Sequence, residues 1–163
     1  MILVEGESDR IALETLAGRL DLPRPDVAVL GGAHAVRSAA VLLAGGAPIG
    51  LCDEGEAGLI TAAGIAPERL FVCRRDLEEE LIRALGVQRV ERVFAEQGDL
   101  GSLRLLQQQP AQRGRTVEQH LRRFIGAHSG AKARYARALV EALDLDRIPE
   151  PLEGALRLEL RGR

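Results

Sequence analysis

The sequence of 163 residues predicts an α/β fold, in which helices flank a parallel sheet of about four strands and a helical C-terminal extension follows. Short apolar runs alternate with segments of helical spacing through residue 85, a pattern typical of a parallel sheet with both faces covered. Beyond Gly86 only segments with helical periodicity remain. We therefore expect an α/β core over residues 1–86, and a helical extension over residues 87–163 that packs on the core and completes its site.

Short apolar runs bounded by turn residues predict the strands, and the second run is expected to form a buried strand. Apolar residues that recur at helical spacing predict the helices between and after them. The proline-interrupted tail from Ile148 is ambiguous, and residues 156–160 could form an edge strand. The predicted strands cover residues 2–4, 27–30, 48–52 and 69–73; the predicted helices cover residues 7–20, 34–43, 56–63, 76–85, 87–96, 99–108, 116–125 and 131–143.

The two halves of the chain carry opposite charge. Residues 1–80 contain fourteen Asp or Glu and seven Arg, a net charge of −7, whereas residues 81–163 contain ten acids and fifteen basic residues, a net charge of +5. An acidic half that could hold cations beside a basic half that could hold phosphates is what a metal-dependent nucleic-acid enzyme requires. Two separate solvated faces would give the same pattern.

The two cysteines, Cys52 and Cys73, are too few and too far apart to predict a zinc site or a disulfide framework. Each lies near the end of an apolar run, where a free cysteine packs as a small hydrophobic residue. No signal peptide is visible, and no apolar run approaches the ~20 residues that a membrane span requires. We therefore expect a cytoplasmic protein with no membrane partner.

Acidic residues recur where predicted strands end. Because parallel strands bring their carboxyl ends to one edge of a sheet, we expect these groups to meet in one crevice. Several carboxylates at close range repel one another, and a divalent cation relieves that repulsion. Simpler alternatives exist for some of them, since Asp76 with Glu79 three residues later also fits a helix cap. The acids are Glu5 with Asp9, Asp53 with Glu54 and Glu56, and Asp76 with Glu78.

The segment VEGESD at residues 4–9 resembles the first motif of TOPRIM domains, in the form found in OLD-family (overcoming lysogenization defect) nucleases. Leu77-Glu78 matches the Leu-Glu pair that supplies a metal ligand in that family. Gly130-Ala131-Lys132 resembles the family's Gly-x-Lys helix, whose lysine stabilises charge on the scissile phosphate. The resemblance covers residues 2–85 and 126–145, and it implies a TOPRIM (Rossmann-like) sheet and nuclease activity.

The middle motif departs from the family pattern. TOPRIM domains mostly carry Asp-x-Asp after the third strand, whereas this chain has Asp53-Glu54-Gly55-Glu56. Gly55 therefore takes the place of the second aspartate. Glu56, one residue further on, has a longer side chain that could restore the ligand. The number of bound ions, one or two, stays open on the sequence.

The resemblance implies a cofactor, a ligand set and catalytic residues. The cofactor would be Mg²⁺ or Mn²⁺, and the catalytic residues would be Glu5, which could also relay a proton, and Lys132. OLD proteins usually join such a domain to an ATPase, but this chain has no candidate ATP site, since residues 126–132 lack P-loop spacing. A separate ATPase is therefore a candidate partner. The expected metal ligands are Glu5, Asp9, Asp53, Glu56 and Glu78.

Basic residues cluster in the helical extension and could follow a phosphate backbone without reading its sequence. A solvated helix face is the ordinary alternative. The whole chain has four aromatic residues, so an extended base-stacking platform is not expected. The candidate nucleic-acid contacts are Arg122, Arg123, Lys132, Arg134 and Arg137.

The leading hypothesis is a metal-dependent nuclease that nicks or cleaves DNA, with RNA left open as a substrate. One alternative is a TOPRIM module that binds nucleic acid or an ATPase without turnover, which the altered Asp-x-Asp motif favours. A second alternative is a receiver-like domain that accepts phosphate on Asp53, because that class also combines strand-end acids with a distant lysine. The position of Lys132 in a helical extension, rather than after a fifth strand, weighs against it.

Overall fold

The computed structural model describes residues 1–31, 47–62, 64–127 and 130–162. The helix predicted over residues 34–43 lies outside the described residues. Within them, the chain alternates strands and helices up to residue 85 and is helical thereafter. The predicted α/β fold with a helical C-terminal extension is confirmed.

The four strands form one parallel sheet in the order β2-β1-β3-β4. The chain leaves β1 for one side of the sheet and later returns to its other side, so the order reverses between β1 and β3. Open α/β sheets bind ligands at such a switch point, beyond the carboxyl ends of the strands. The strands are β1 (Ile2–Val4), β2 (Val27–Val29), β3 (Ile49–Asp53) and β4 (Leu70–Cys73).

The second strand is less buried than the sequence suggested. In the described part of the chain β2 pairs with β1 alone, and Val29 is 39% exposed. The central strands β1 and β3 are buried almost throughout. A short apolar run fits both a central and an edge strand, so the sequence could not separate them.

Eight helices lie in the described residues, and caps explain where several of them begin. The carboxylate of Asp76 accepts a hydrogen bond from the Glu79 amide at 2.9 Å, which confirms the predicted helix cap. No described helix is both long and apolar enough to cross a membrane. The helices are α1 (Glu7–Arg19), α2 (Ala57–Ala62), α3 (Leu77–Leu85), α4 (Val87–Glu96), α5 (Leu100–Gln108), α6 (Val117–Ile125), α7 (Ala131–Ala142) and α8 (Glu150–Arg161).

One hydrophobic core joins the sheet to the helical extension. Helix α7 packs along α1, and buried side chains of both belong to the same cluster as strands β1 and β3. Tyr135 is fully buried there, with its ring centroid 4.5 Å from that of Phe94. This packing agrees with a structural role for the tyrosine and brings the first turn of α7 to the carboxyl edge of the sheet.

The segment left ambiguous near the C-terminus is a helix and not the possible edge strand, because residues 156–160 lie within helix α8. Pro149 caps this helix and Pro151 stands in its first turn, where the missing N–H is not needed for a helical hydrogen bond. The segment alternates apolar and polar residues, which misleadingly fits a strand. Its buried residues have helical spacing, and α8 packs on β3 and β4: Leu152, Ala155, Leu156 and Glu159.

Helix α8 can approach the sheet closely because Gly154 lacks a side chain. A Cβ atom at this position would lie 2.3 Å from Cε1 of Phe71 on β4. We expect Gly154→Ala to lower the free energy of unfolding by about 1–3 kcal/mol through overpacking. Gly18→Ala is the control, because open space surrounds that position on α1 and alanine favours helix. Thermal unfolding checks this, and equal melting temperatures for the two variants would contradict the packing argument.

Candidate metal centre

A cleft of about 370 Å³ at the switch point collects most of the predicted ligands. Glu5 follows β1, and Asp53 ends β3, the neighbouring strand. Asp9 reaches the cleft from the first turn of α1, Glu78 from the first turn of α3, and Lys132 from the first turn of α7. The strand-end argument is therefore borne out in part, because four of its acids line one space together with Lys132 and Glu7. The other three acids it included do not line the cleft: Glu54, Glu56 and Asp76.

The turn after β1 fixes the position of Asp9. Gly6 has extended backbone and donates its N–H to Oδ2 of Asp9 at 2.9 Å. This bond satisfies one of the free amides at the start of α1 and holds the carboxylate beside Glu5. The capping role and the proposed ligand role of Asp9 are thus compatible, because only one of its oxygen atoms is used.

Glu56 lies beside Glu5 but does not line the cleft itself. A hydrogen bond between the two side chains and their mutual repulsion contribute, after burial, to raising the pKa of Glu56 to about 7. The loop at Gly55 therefore places the glutamate at the rim of the cleft. Glu56 is close enough to exchange a proton with Glu5. That Glu56 also coordinates a metal ion stays a prediction.

The carboxylates of the cleft are hard to ionise together. Burial, followed by the charges of Glu78 and Glu5, raises the pKa of Asp9 to about 6, although the Gly6 amide and Lys132 oppose the shift. Burial, and then repulsion from Asp9 and other acids, raises the pKa of Asp53 to about 7. Crowded carboxylates whose pKa values rise in this way are a common feature of functional sites.

One cation inside the cleft offsets part of this charge. The Nζ atom of Lys132 lies 3.1 Å from Oε1 of Glu78, whose side chain is 8% exposed. Burial lowers the pKa of Lys132, but the charge of Glu78 and the hydrogen bond to it outweigh burial, so the net pKa is raised. Acidic residues still outnumber the single lysine among the lining residues: Glu5, Glu7, Asp9, Asp53 and Glu78.

The donor atoms fit a divalent cation by their chemistry, but they are not yet arranged around one. Mg²⁺ and Mn²⁺ prefer oxygen ligands, and the cleft offers several carboxylates whose repulsion a cation would relieve. Among the described residues, no group of three or more His, Cys, Asp or Glu side chains already has the geometry to hold a metal ion. Binding would therefore require side-chain rotation, above all at Glu78, which Lys132 holds.

The basic residues predicted to contact nucleic acid divide into two sets. Arg122 donates hydrogen bonds to buried Asp76, Lys132 pairs with Glu78, and Arg134 lies 2.5 Å from Oδ2 of Asp99. Arg123 and Arg137 are exposed on α6 and α7. The sequence could not anticipate the pairings, because the partners are separated by 35 to 54 residues. The pairs of Arg122 and Lys132 also join the extension to the α/β core, whereas Arg134 and Asp99 both belong to the extension.

The raised pKa values predict how the stability of the metal-free protein depends on pH. The ordinary pKa of an aspartate side chain is 3.8, so between about pH 4 and 7 the folded state binds more protons at Asp9 and Asp53 than the unfolded state. Their contribution to stability is complete below pH 4 and is lost as the pH rises through about 7. We expect the melting temperature of Asp53→Asn to fall less steeply over this range than that of the wild type in EDTA. Parallel curves would contradict the assigned repulsion.

Comparison with solved structures finds this fold in the C-terminal region of OLD proteins. The chain matches that region of the Xanthomonas campestris pv. campestris protein with a TM-score of 0.67 at 22% identity, over 99% of this chain and 94% of the other. It matches the Burkholderia pseudomallei region with a TM-score of 0.65 at 18% identity, over 99% and 96%. No protein-family model and no curated protein matches the sequence. The resemblance stated from the motifs is thus confirmed at the level of structure, and the chain has the fold of the C-terminal region of OLD proteins.

Proposed function

We propose that this chain is a metal-dependent nuclease that hydrolyses phosphodiester bonds in DNA. The observation that carries the proposal is the cleft at the β1–β3 switch point, where five carboxylates, the four predicted ligands and Glu7, and one lysine line the same space. Carboxylates of this kind hold Mg²⁺ or Mn²⁺, and a lysine beside them suits an anionic substrate. The shared fold with OLD C-terminal regions supports the same class.

The acidic residues would bind the metal ion and accept the proton released by the attacking water. Glu5, Asp9, Asp53 and Glu78 would supply ligands, and a bound divalent cation would lower the pKa of water and stabilise charge on the phosphate. Glu5 would accept the proton of the attacking water. Glu56 lies in hydrogen-bond contact with Glu5 and has a pKa of about 7, so it could take that proton onward.

Lys132 would stabilise the charge that develops on the scissile phosphate. In the structure its ammonium group is bound to Glu78. Glu78 would be among the residues that hold the cation, and the ammonium group, released from that ion pair, would then be free to contact a phosphate oxygen. Such a contact is stronger in the transition state than in the ground state, which is what accelerates a reaction.

Cleavage of supercoiled plasmid tests the proposal. Wild-type protein is incubated with Mg²⁺, Mn²⁺ or EDTA, beside Glu5→Gln and the control Glu118→Gln, an exposed acid on α6 outside the cleft. We expect nicked or linear DNA with either metal, none with EDTA, and loss of cutting in Glu5→Gln alone. Equal cutting by wild type and Glu5→Gln would refute the assignment of the site.

A binding module without turnover is the second candidate, and Gly55, in place of the second aspartate of Asp-x-Asp, favours it. This candidate predicts that a divalent cation raises the melting temperature while no nucleic acid is cut. Any metal-dependent cleavage that Glu5→Gln abolishes would exclude it.

A further inference from the structure

A second, larger cavity of about 700 Å³ lies on the other side of the first turn of α7. Leu105, Leu106, Phe124 and Ala131 supply its apolar walls. Ser102 and Gln109 supply a hydroxyl and an amide at its edge. A few polar groups around apolar walls, at this volume, are typical of sites for small organic groups.

Leu105 shows that packing within the chain leaves this surface exposed. It is 67% exposed, the most exposed large apolar side chain in the described residues. It faces the cavity from α5, a helix whose other face packs into the core through Leu103. A large apolar side chain held at the mouth of a cavity favours an apolar ligand surface over water.

In the opposite wall of the cavity, Asp99 holds two neighbouring side chains in place by hydrogen bonds. Its Oδ2 accepts hydrogen bonds from the hydroxyl of Tyr135 and from Nη2 of Arg134, each at 2.5 Å. The guanidinium carbon of Arg134 lies 4.7 Å from the centroid of the Tyr135 ring. The arginine therefore has a fixed place at the cavity wall, and its charge is balanced by the carboxylate. This balance favours a neutral ligand over a phosphate.

The cavity and the acidic cleft share Gly130, which lines both. Lys132 and Ala133 line the cleft, whereas Ala131 and Arg134 line the cavity. The two spaces are separated by one helix, which is about 10 Å across. A nucleic-acid strand covers that distance in roughly three nucleotides at its stacked rise of about 3.4 Å, and in fewer when it is unstacked.

We infer that the cavity binds one unstacked nucleobase of the substrate strand, within about three nucleotides of the phosphate held at Lys132. Its apolar walls match the faces of a base, and Ser102 and Gln109 can both donate to and accept from a base edge. The fixed guanidinium of Arg134 offers a plane for stacking. A site for a single base needs no extended row of aromatic residues, which this chain lacks. The inference rests on the proposed nuclease function.

A bound base must leave its stack, so the enzyme prefers single-stranded or distorted DNA near the cut. Extruding a base from an intact duplex costs stacking and pairing energy that a single strand or a mismatch has already lost. Selectivity of this kind would come from the shape of the strand rather than from its sequence. A single-stranded oligonucleotide is accordingly the probe of choice.

The test compares Leu105→Asp with Leu59→Asp, a control on α2 that is 58% exposed and does not line the cavity. Both positions are exposed, so both variants should retain the wild-type melting temperature. Binding of a single-stranded oligonucleotide carrying 2-aminopurine is measured with Ca²⁺ in place of Mg²⁺, and the strand is checked for cutting afterwards. We expect wild type and Leu59→Asp to bind with a rise in fluorescence as the base unstacks. Leu105→Asp should bind roughly 10-fold more weakly and without that rise.

Equal affinity and equal fluorescence for the two aspartate variants would overturn the inference, as would occupation of the cavity by a second copy of the chain or another protein. Cleavage by the wild type is measured separately. If the wild type cuts plasmid while Leu105→Asp binds like Leu59→Asp, only the base site is wrong. If the wild type cuts no DNA under any condition, the proposed nuclease function is wrong, and the inference that rests on it falls with it.

Discussion

Asp53→Asn is expected to reduce metal-dependent DNA cleavage at least about 100-fold, because the loss of one carboxylate ligand removes part of the metal's stabilisation of the transition state. Asp53 ends β3 at the switch point and faces the cleft. Its removal also relieves repulsion with Asp9, the acid whose charge raises the pKa of Asp53 most. The same variant should therefore melt at a higher temperature than the wild type in EDTA at pH 8.

Glu54→Gln is the matched control for this change. Glu54 is the next residue along the chain, is exposed, and accepts a hydrogen bond from the Arg75 amide outside the cleft. Cleavage by Glu54→Gln should stay within a few-fold of the wild-type rate. An Asp53→Asn protein that cuts DNA at the wild-type rate would remove Asp53 from the site. A variant that loses both cleavage and stability would mean that Asp53 supports the fold instead.

Lys132→Ala is expected to lower the cleavage rate by about 10²–10³-fold, the range found when a group that stabilises transition-state charge is removed. The ion pair between Lys132 and Glu78 adds a second expectation. Because the lysine competes with a cation for Glu78, its removal should leave the affinity for Mn²⁺ unchanged or increase it. Loss of cleavage with retained metal binding would separate the role of the lysine from those of the acids.

Arg161→Ala controls for the loss of one positive charge, since Arg161 is exposed at the end of α8, away from the residues that line the cleft. It should cut DNA at the wild-type rate. If the Lys132→Ala variant lost affinity for Mn²⁺ as well as cleavage, the idea that the lysine and the cation compete for Glu78 would be wrong. Retention of full cleavage in Lys132→Ala would show that the ammonium group takes no part in the reaction.

The sequence predicted the sheet and the acids at its edge because both depend on local patterns. A buried apolar run that ends in Glu5 or Asp53 defines a strand and its carboxyl end, and parallel pairing then brings the two ends together. The cap at Asp76 was likewise predictable from Glu79 three residues later. These signals span only a few residues each, so no tertiary contact was needed to interpret them.

The predictions from sequence are wrong or incomplete where tertiary contacts determine the structure. Residues 156–160 alternate like a strand, but packing of α8 on β3 and β4 selects the helix. The second oxygen of Asp76 binds Arg122 from a helix 46 residues away, and Lys132 binds Glu78 across 54 residues. Local periodicity carries no information about ion pairs between residues so far apart in the sequence. The cavity beside α7 was missed for the same reason, since its walls come from three helices.

Titration with Mn²⁺ tests most directly whether the cleft is a metal site, the claim on which the proposed chemistry depends. Free Mn²⁺ is followed by electron paramagnetic resonance for the wild type, the control Glu54→Gln and the double variant Glu5→Gln/Asp53→Asn. The account predicts one or two bound ions in the first two proteins, and at least about 10-fold weaker binding in the double variant. Equal binding by all three proteins would place the metal elsewhere and contradict the account.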